Sequence, residues 1–206
     1  MKQVRQIDRL RTSKDLMNSR NPFIRYCNQI ATLSEEAETA FSAQLTCKTY
    51  VKNELIVTEG DHCRRIYFIE SGLVKLCHLT ENGSIILRFF AENSAFTILD
   101  SFLPQVPSDK YIEALEKSLI WSISYQDLEI LSQKYHCFEH FYRIIISMAS
   151  VNMMKRLQDM MAKSAKQRYD IFLNENNKYI NRISLGDVAA YIGITQVSLS
   201  RIRKLS

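Results

Sequence analysis

The sequence predicts an α+β chain: an N-terminal antiparallel β-roll or jelly roll, one long helix, and a small C-terminal pair of helices. Three observations carry this reading. Seven short runs rich in β-branched and aromatic residues lie between residues 47 and 124, with turn residues between them. Residues 108–185 contain no glycine or proline and can be strongly helical. Residues 184–204 carry the spacing of two short helices joined by a glycine turn. A chain of 206 residues accommodates one large domain or two small ones.

Residues 1–21 are polar and basic without a clear period, and are read as a tail. The β-roll is assigned to 22–134. Ser34-Glu35-Glu36-Ala37-Glu38 opens a helix over 34–46: serine caps it, acids suit the first turn, and Phe41 and Leu45 follow at helical spacing. Strands are expected at 49–52, 55–58, 65–70, 73–79, 85–90, 111–115 and 119–124. Glu59-Gly60-Asp61, Ser71-Gly72 and Glu81-Asn82-Gly83 mark turns between them; Asn-Gly is a strong hairpin signal because both residues tolerate positive φ. Seven short strands in under 80 residues indicate a barrel or jelly roll.

Residues 125–162 read as helix. Apolar side chains recur at Phe141, Ile144, Met148, Val151, Met154, Leu157 and Met161, in steps of three or four. This seam is longer than a small domain needs to cover itself. The segment 135–162 is therefore expected to be a dimerisation helix, with Phe141, Ile144, Met148, Val151, Met154 and Leu157 at the interface. The plainer alternative is a stripe packed on the roll, its methionines filling core. A short helix over 166–174 and a polar stretch over 174–178 follow, with the domain junction near 155–165.

The remaining segment, 163–206, is expected to bind DNA. Leu185, Val188, Ala189 and Ile192 form one face of a first helix, and Ala189 is small where two helices must approach. Gly193 suits a turn of positive φ, Ile194 plugs the corner and Thr195 can cap the second helix. Leu199 and Ile202 bury that helix against the first. Its other face carries Gln196, Val197, Ser200 and Arg201, with Arg203 and Lys204 trailing. Arginine can fork onto guanine, glutamine can pair with adenine, and valine can meet a thymine methyl. Ser184, Thr195 and Ser198 can bond phosphates, and Arg203 and Lys204 add charge. The bland alternative is a helical hairpin with a solvated polar face. Charge favours the first reading. Residues 1–25 sum to +5, residues 26–154 to −6 and residues 155–206 to +6, so a basic end is attached to an acidic middle.

Residues 56–72 read Ile-Val-Thr-Glu-Gly-Asp-His-Cys-Arg-Arg-Ile-Tyr-Phe-Ile-Glu-Ser-Gly, with Gly60 and Gly72 bracketing a strand of four large apolar residues, Ile66 to Ile69. This resembles the signature of cyclic-nucleotide-binding β-rolls. With the long helix and the terminal helix-turn-helix, the chain from about residue 22 resembles the CRP/FNR family of bacterial transcription regulators. The resemblance implies a winged-helix-like C-terminal domain and a homodimer joined by the long helix. It also implies a palindromic double-stranded operator, RNA polymerase as a further partner, and work in the cytoplasm. Ser200-Arg201 falls where family members read bases. Many members have glutamate where this chain has Val197, which implies a different operator base there.

The pocket departs from the family pattern. Cyclic-nucleotide binders carry Gly-Glu at the start of a short helix and an arginine about a dozen residues later, for the ribose and the cyclic phosphate. The matching stretches here are Phe90-Ala91-Glu92-Asn93-Ser94 and Pro107-Ser108-Asp109-Lys110-Tyr111. Glu92 stands for the glutamate, and Ser108 replaces the arginine. Losing that bidentate charged pair argues against cyclic AMP. Glu92, Ser94, Ser108 and Lys110 are the residual ligand-site candidates, for an unidentified small molecule or none. No cofactor is expected.

Other chemistries find little support. The five cysteines, 27, 47, 63, 77 and 137, are scattered and never spaced C-x-x-C, which disfavours a disulfide framework, a zinc site or an iron–sulfur cluster. His136 and His140 have metal-ligand spacing without a third ligand, so no metal is expected. No phosphate loop, G-x-S-x-G or H-E-x-x-H points to an enzyme. The competing reading is a ligand-binding or protein-interaction module whose helix-turn-helix is degenerate.

Overall fold

A computed structural model describes residues 21–81 and 83–204. The tail expected over 1–21 falls, except for Asn21, outside the described residues. Helix α1 (Pro22–Ile30) begins where Asn21 Oδ1 accepts from the amides of Phe23 (2.9 Å) and Ile24 (3.3 Å), with Pro22 in the first turn. Helix α2 (Glu35–Gln44) is capped by Ser34, as its sequence predicts. Eight strands follow: β1 (Thr46–Tyr50), β2 (Leu55–Val57), β3 (Arg65–Ser71), β4 (Val74–Thr80), β5 (Gly83–Phe90), β6 (Ala95–Phe96), β7 (Lys110–Ala114) and β8 (Ser118–Ser124). A short helix, α3 (Leu99–Phe102), separates β6 from β7.

The strands form two antiparallel four-stranded sheets, ordered β1-β8-β3-β6 and β2-β7-β4-β5. Their facing sides enclose Tyr50, Tyr67, Ile69, Val74, Phe96 and Ile112. The outer sides are covered too, which explains why Ile66 to Ile69 are all buried despite the two-residue alternation of a strand. Ile66 and Phe68 point outward into a cluster with Phe23, Phe41, Phe138 and Phe141. Leu73, Cys77, Ile86 and Phe89 point outward from the second sheet onto C-terminal helices. Gly72, at φ 111°, turns β3 into β4; a Cβ there would overlap the side chain and backbone of Ser118.

The helix expected over 125–162 is two helices, α4 (Tyr125–Lys134) and α5 (His136–Ala162), broken at the extended Tyr135. Neither glycine nor proline marks this break, so the apolar period runs through it. Helix α6 (Ala165–Asn176) opens with a reciprocal cap between Ser164 and Gln167. A 3-10 turn (Ile180–Arg182) leads to α7 (Leu185–Ile192) and α8 (Gln196–Lys204). Among the described residues no strand follows β8, so the winged-helix comparison extends only to helices.

Candidate nucleic-acid interface

Helices α7 and α8 meet as the sequence spacing requires. Ser184 caps α7, its Oγ accepting from the Asp187 amide at 3.0 Å. Val188, Ala189, Ile192 and Leu199 are buried against one another and against Tyr169 and Phe172. Gly193 ends α7 at φ 73° and ψ 41°, the left-handed conformation that lets its amide reach back to the carbonyls of Ala189 and Ala190. Thr195 Oγ1 accepts from the Ser198 amide at 3.2 Å and starts α8. With Leu199 facing inward, Gln196, Val197, Arg201, Arg203 and Lys204 are exposed, and Ser200 is half-buried. Val197, a β-branched apolar residue, is 64% exposed on that face. The exposed face thus combines an amide, an aliphatic tip and cationic ends, a set suited to base edges flanked by phosphates. The hydroxyls of Ser184, Thr195 and Ser198 stand at the N-terminal ends of the two helices; Ser184 and Thr195 serve as caps, and the Ser198 hydroxyl bonds that of Thr195 at 2.9 Å.

Several C-terminal cations are engaged elsewhere. The Arg168 guanidinium donates to the carbonyls of Ile192 (2.9 Å) and Lys163 (2.6 Å). Arg156 donates to the Tyr191 carbonyl and lies 3.7 Å from the Tyr191 ring centroid. The bonds to Tyr191 and Ile192 satisfy carbonyls that the C-terminus of α7 leaves unpaired, and the bond to Lys163 does the same just past the end of α5. Sequence reasoning counted Arg156, Arg168 and Arg182 only as charge. They bind the helices to their surroundings, and no short-range pattern distinguishes them from the exposed cations of α8.

The long helix divides into two halves. Phe138, Phe141 and Ile145 are buried, whereas Met148, Val151, Met154, Leu157 and Met161 are more than half exposed. Phe141, expected on the dimer seam, instead lies fully buried, 6.3 Å from the Phe23 and Tyr26 ring centroids. Helix α1 covers it, and that helix was not foreseen. Ile144 is half-buried at the boundary.

The four pocket candidates fall into two groups. Glu92 is not at the start of the short helix: α3 begins at Leu99, and Glu92 sits on the β5–β6 turn. There its carboxylate takes two hydrogen bonds from Arg182, of 2.7 and 2.9 Å, and one from the Gly72 amide at 2.9 Å. The Arg182 bonds outweigh partial burial and hold the Glu92 carboxyl down at about 2. Ser94 Oγ donates to the Ala91 carbonyl. Ser108 is buried, its Oγ accepting from the Lys110 amide at 3.0 Å and its backbone pinning the Gly60–Asp61 turn. The Lys110 ammonium is paired with both Asp100 and Asp109. Glu92 lies near the Val74 end of β4 and Lys110 pairs with its His78 end, roughly 13 Å apart along the strand. Between them the roll is filled by stacked rings: Tyr67 on Phe96 at 5.3 Å and Phe90 on Phe96 at 4.9 Å. Cys63 Sγ and Thr97 Oγ1 bond to each other at 3.3 Å, and Ser101 Oγ accepts from the Cys63 amide.

Among the described residues, no cluster of histidine, cysteine or carboxylates could hold a metal, and no helix is long and apolar enough to cross a membrane. The cyclic nucleotide-binding domain model matches residues 47–135. The chain is 27% identical over 187 residues to the regulatory protein HlyX of Actinobacillus pleuropneumoniae, covering 83% of this chain and 76% of that one. It is 28% identical over 171 residues to the fumarate and nitrate reduction regulatory protein of Vibrio cholerae, covering 75% of this chain and 66% of the relative. Among solved structures, FixK2 from Bradyrhizobium japonicum superposes with a TM-score of 0.70 at 18% identity, over 78% of this chain and 83% of that one. A crp/fnr family regulator from Eubacterium rectale gives 0.66 at 17%, over 84% and 83%. The structural likeness shows the fold, a cyclic nucleotide-binding-like roll followed by C-terminal helices, and the curated relatives that the chain is similar to are regulatory proteins.

Proposed function

We propose that the protein is a sequence-specific DNA-binding transcription regulator that acts as a homodimer and does not respond to cyclic AMP. The observation that carries this is the exposed face of α8, where Gln196, Val197 and Arg201 project from a helix whose opposite side is sealed by Leu199. Two copies joined along the exposed half of α5 would set their α8 helices about 34 Å apart, in successive major grooves of a palindromic operator. Against cyclic AMP stand the buried Ser108 in place of a phosphate-binding arginine, the neutralised Lys110, and the engaged Glu92. An anion in this roll would meet no unpaired cation among these residues. On this reading the protein is a cytoplasmic regulator without a cofactor or enzymatic activity, and it meets RNA polymerase at the promoter.

The test begins with selection of duplexes from a random pool, followed by fluorescence anisotropy on the selected site. Arg201→Ala should cost about 1–3 kcal/mol, or roughly 5- to 150-fold in Kd, and relax preference at one base pair. Affinity should fall steeply with salt, and added cyclic AMP should leave it unchanged. Unaltered affinity in Arg201→Ala would remove α8 as the reading helix.

A further inference from the structure

We infer that Arg182 is a positioning residue for DNA binding: through Glu92 and Glu116 it clamps the C-terminal helices onto their own roll, and this clamp, rather than a bound ligand, sets the direction of α8. The inference rests on the DNA-binding reading. Arg182 ends the 3-10 turn two residues before Ser184, the cap of α7. Its guanidinium makes two forks. One goes to Glu92 at 2.7 and 2.9 Å, and the other goes to Glu116 at 2.5 and 3.2 Å. Glu92 lies on the β5–β6 turn and Glu116 on the β7–β8 turn, so one side chain grips two loops of the roll. The Gly72 amide holds the Glu92 carboxylate from a third turn.

Two further cations cross the same boundary. Lys75 of β4 reaches Asp187 of α7 at 3.1 Å and Glu113 of β7 at 3.6 Å. Arg156 of the long helix donates to the carbonyls of Ile86 in β5 and Tyr191 in α7. Beneath them, Leu73 and Phe89 of the roll share one apolar cluster with Phe172, Val188 and Ile192. Apolar contact is non-directional and tolerates sliding. Bidentate guanidinium–carboxylate pairs do not, since both planes and both spacings must match. These pairs are partly solvated and add little stability. What they add is orientation, passed along α7 and through the Gly193 turn to α8. In a roll filled by Tyr67, Phe90 and Phe96, orientation has to come from such fixed contacts.

The experiment compares the full chain with Glu92→Gln/Glu116→Gln and with Arg182→Gln. It uses hydrogen exchange and anisotropy on the selected duplex. The glutamines keep shape and remove two negative charges that lie outside α8. Charge alone would then tighten binding to a polyanion. The clamp makes the opposite prediction: faster exchange in β5 and α7, near-native far-UV circular dichroism, and at least about fivefold weaker DNA binding in both variants. Binding that tightens or stays within experimental error of wild type would overturn the clamp, and so would unchanged exchange. Failure of the wild-type protein to bind any selected duplex would instead overturn the DNA-binding reading.

Discussion

Val151→Asp puts the proposed dimer to its strictest test. Met148, Val151, Met154, Leu157 and Met161 are 52, 64, 64, 60 and 81% exposed along one stretch of α5. With full burial of such a side chain worth ~2 kcal/mol, covering these exposed fractions in two copies contributes about 13 kcal/mol. Association costs an estimated ~4–15 kcal/mol, so this seam suffices for a dimer only if nearly all of it is covered. Val151 lies in its middle. Replacing it removes roughly 1.3 kcal/mol of burial per copy and sets a carboxylate against the partner, at an effective cost of several kcal/mol per ion. Two copies together lose at least about 5 kcal/mol, which weakens dimerisation by three to four orders of magnitude. Sedimentation velocity over a concentration series should show wild type as a dimer and Val151→Asp as a folded monomer, with operator binding lost in parallel. Phe141→Ala serves as the contrast. Its ring is buried between α1 and the roll, so it should lose ~3–5 kcal/mol of stability without selective dissociation. A Val151→Asp dimer as tight as wild type would refute the seam, as would a wild-type monomer at every concentration.

Two further outcomes follow from local geometry. Gly193→Ala forces a side chain into φ 73° at a cost of roughly 1–2 kcal/mol and brings its Cβ to 2.8 Å from Met160 Cε, a flexible tip that can yield. The midpoint of thermal unfolding should fall by about 2–8 °C with weaker DNA binding, and an unchanged midpoint would contradict the left-handed turn. Acid should loosen the clamp. The folded-state pKa of Glu92 lies below its ordinary value of 4.5, at about 2, so its contribution is complete above pH 4.5 and lost as pH falls toward 2. The carboxyl carbon resonance of Glu92 should titrate near the bottom of that window, and return toward 4.5 in Arg182→Gln. Ordinary titration in the wild type would show that Arg182 does not hold it.

The parts of this molecule that were legible in the sequence are those whose contacts are short in sequence. The α7–α8 pair follows from Ser184, Ala189, Gly193, Thr195 and Leu199, each acting within three to five residues of its partner. The hairpin turns at Gly72 and Gly83 were legible for the same reason. Helix α1 carried a signal, Asn21-Pro22, which is an N-cap followed by a first-turn proline, and it was overlooked beside a basic tail. Strand β6 has two residues, too few for a period. The break at Tyr135 has no breaker residue, because Ser124-capped α4 simply ends where the chain turns back over α2.

What the sequence could not reveal is which charges are already spoken for. A run of +6 over residues 155–206 reads as one basic surface, yet Arg182 meets Glu92 across 90 positions and Asp187 meets Lys75 across 112. The same long-range pairing undid the assignment of Glu92. From sequence it is an acid near a short helix, but in the fold it stands beyond the edge of the ring-filled interior, facing a helical unit that begins 73 residues later. A glutamate committed to an intramolecular arginine is withdrawn from any ligand, and an arginine committed to two glutamates is withdrawn from DNA. On the DNA-binding reading, the exposed cations of α8 are Arg201, Arg203 and Lys204, and the withdrawal of Arg156, Arg168 and Arg182 predicts a shallower salt dependence than the raw charge of the C-terminal segment suggests.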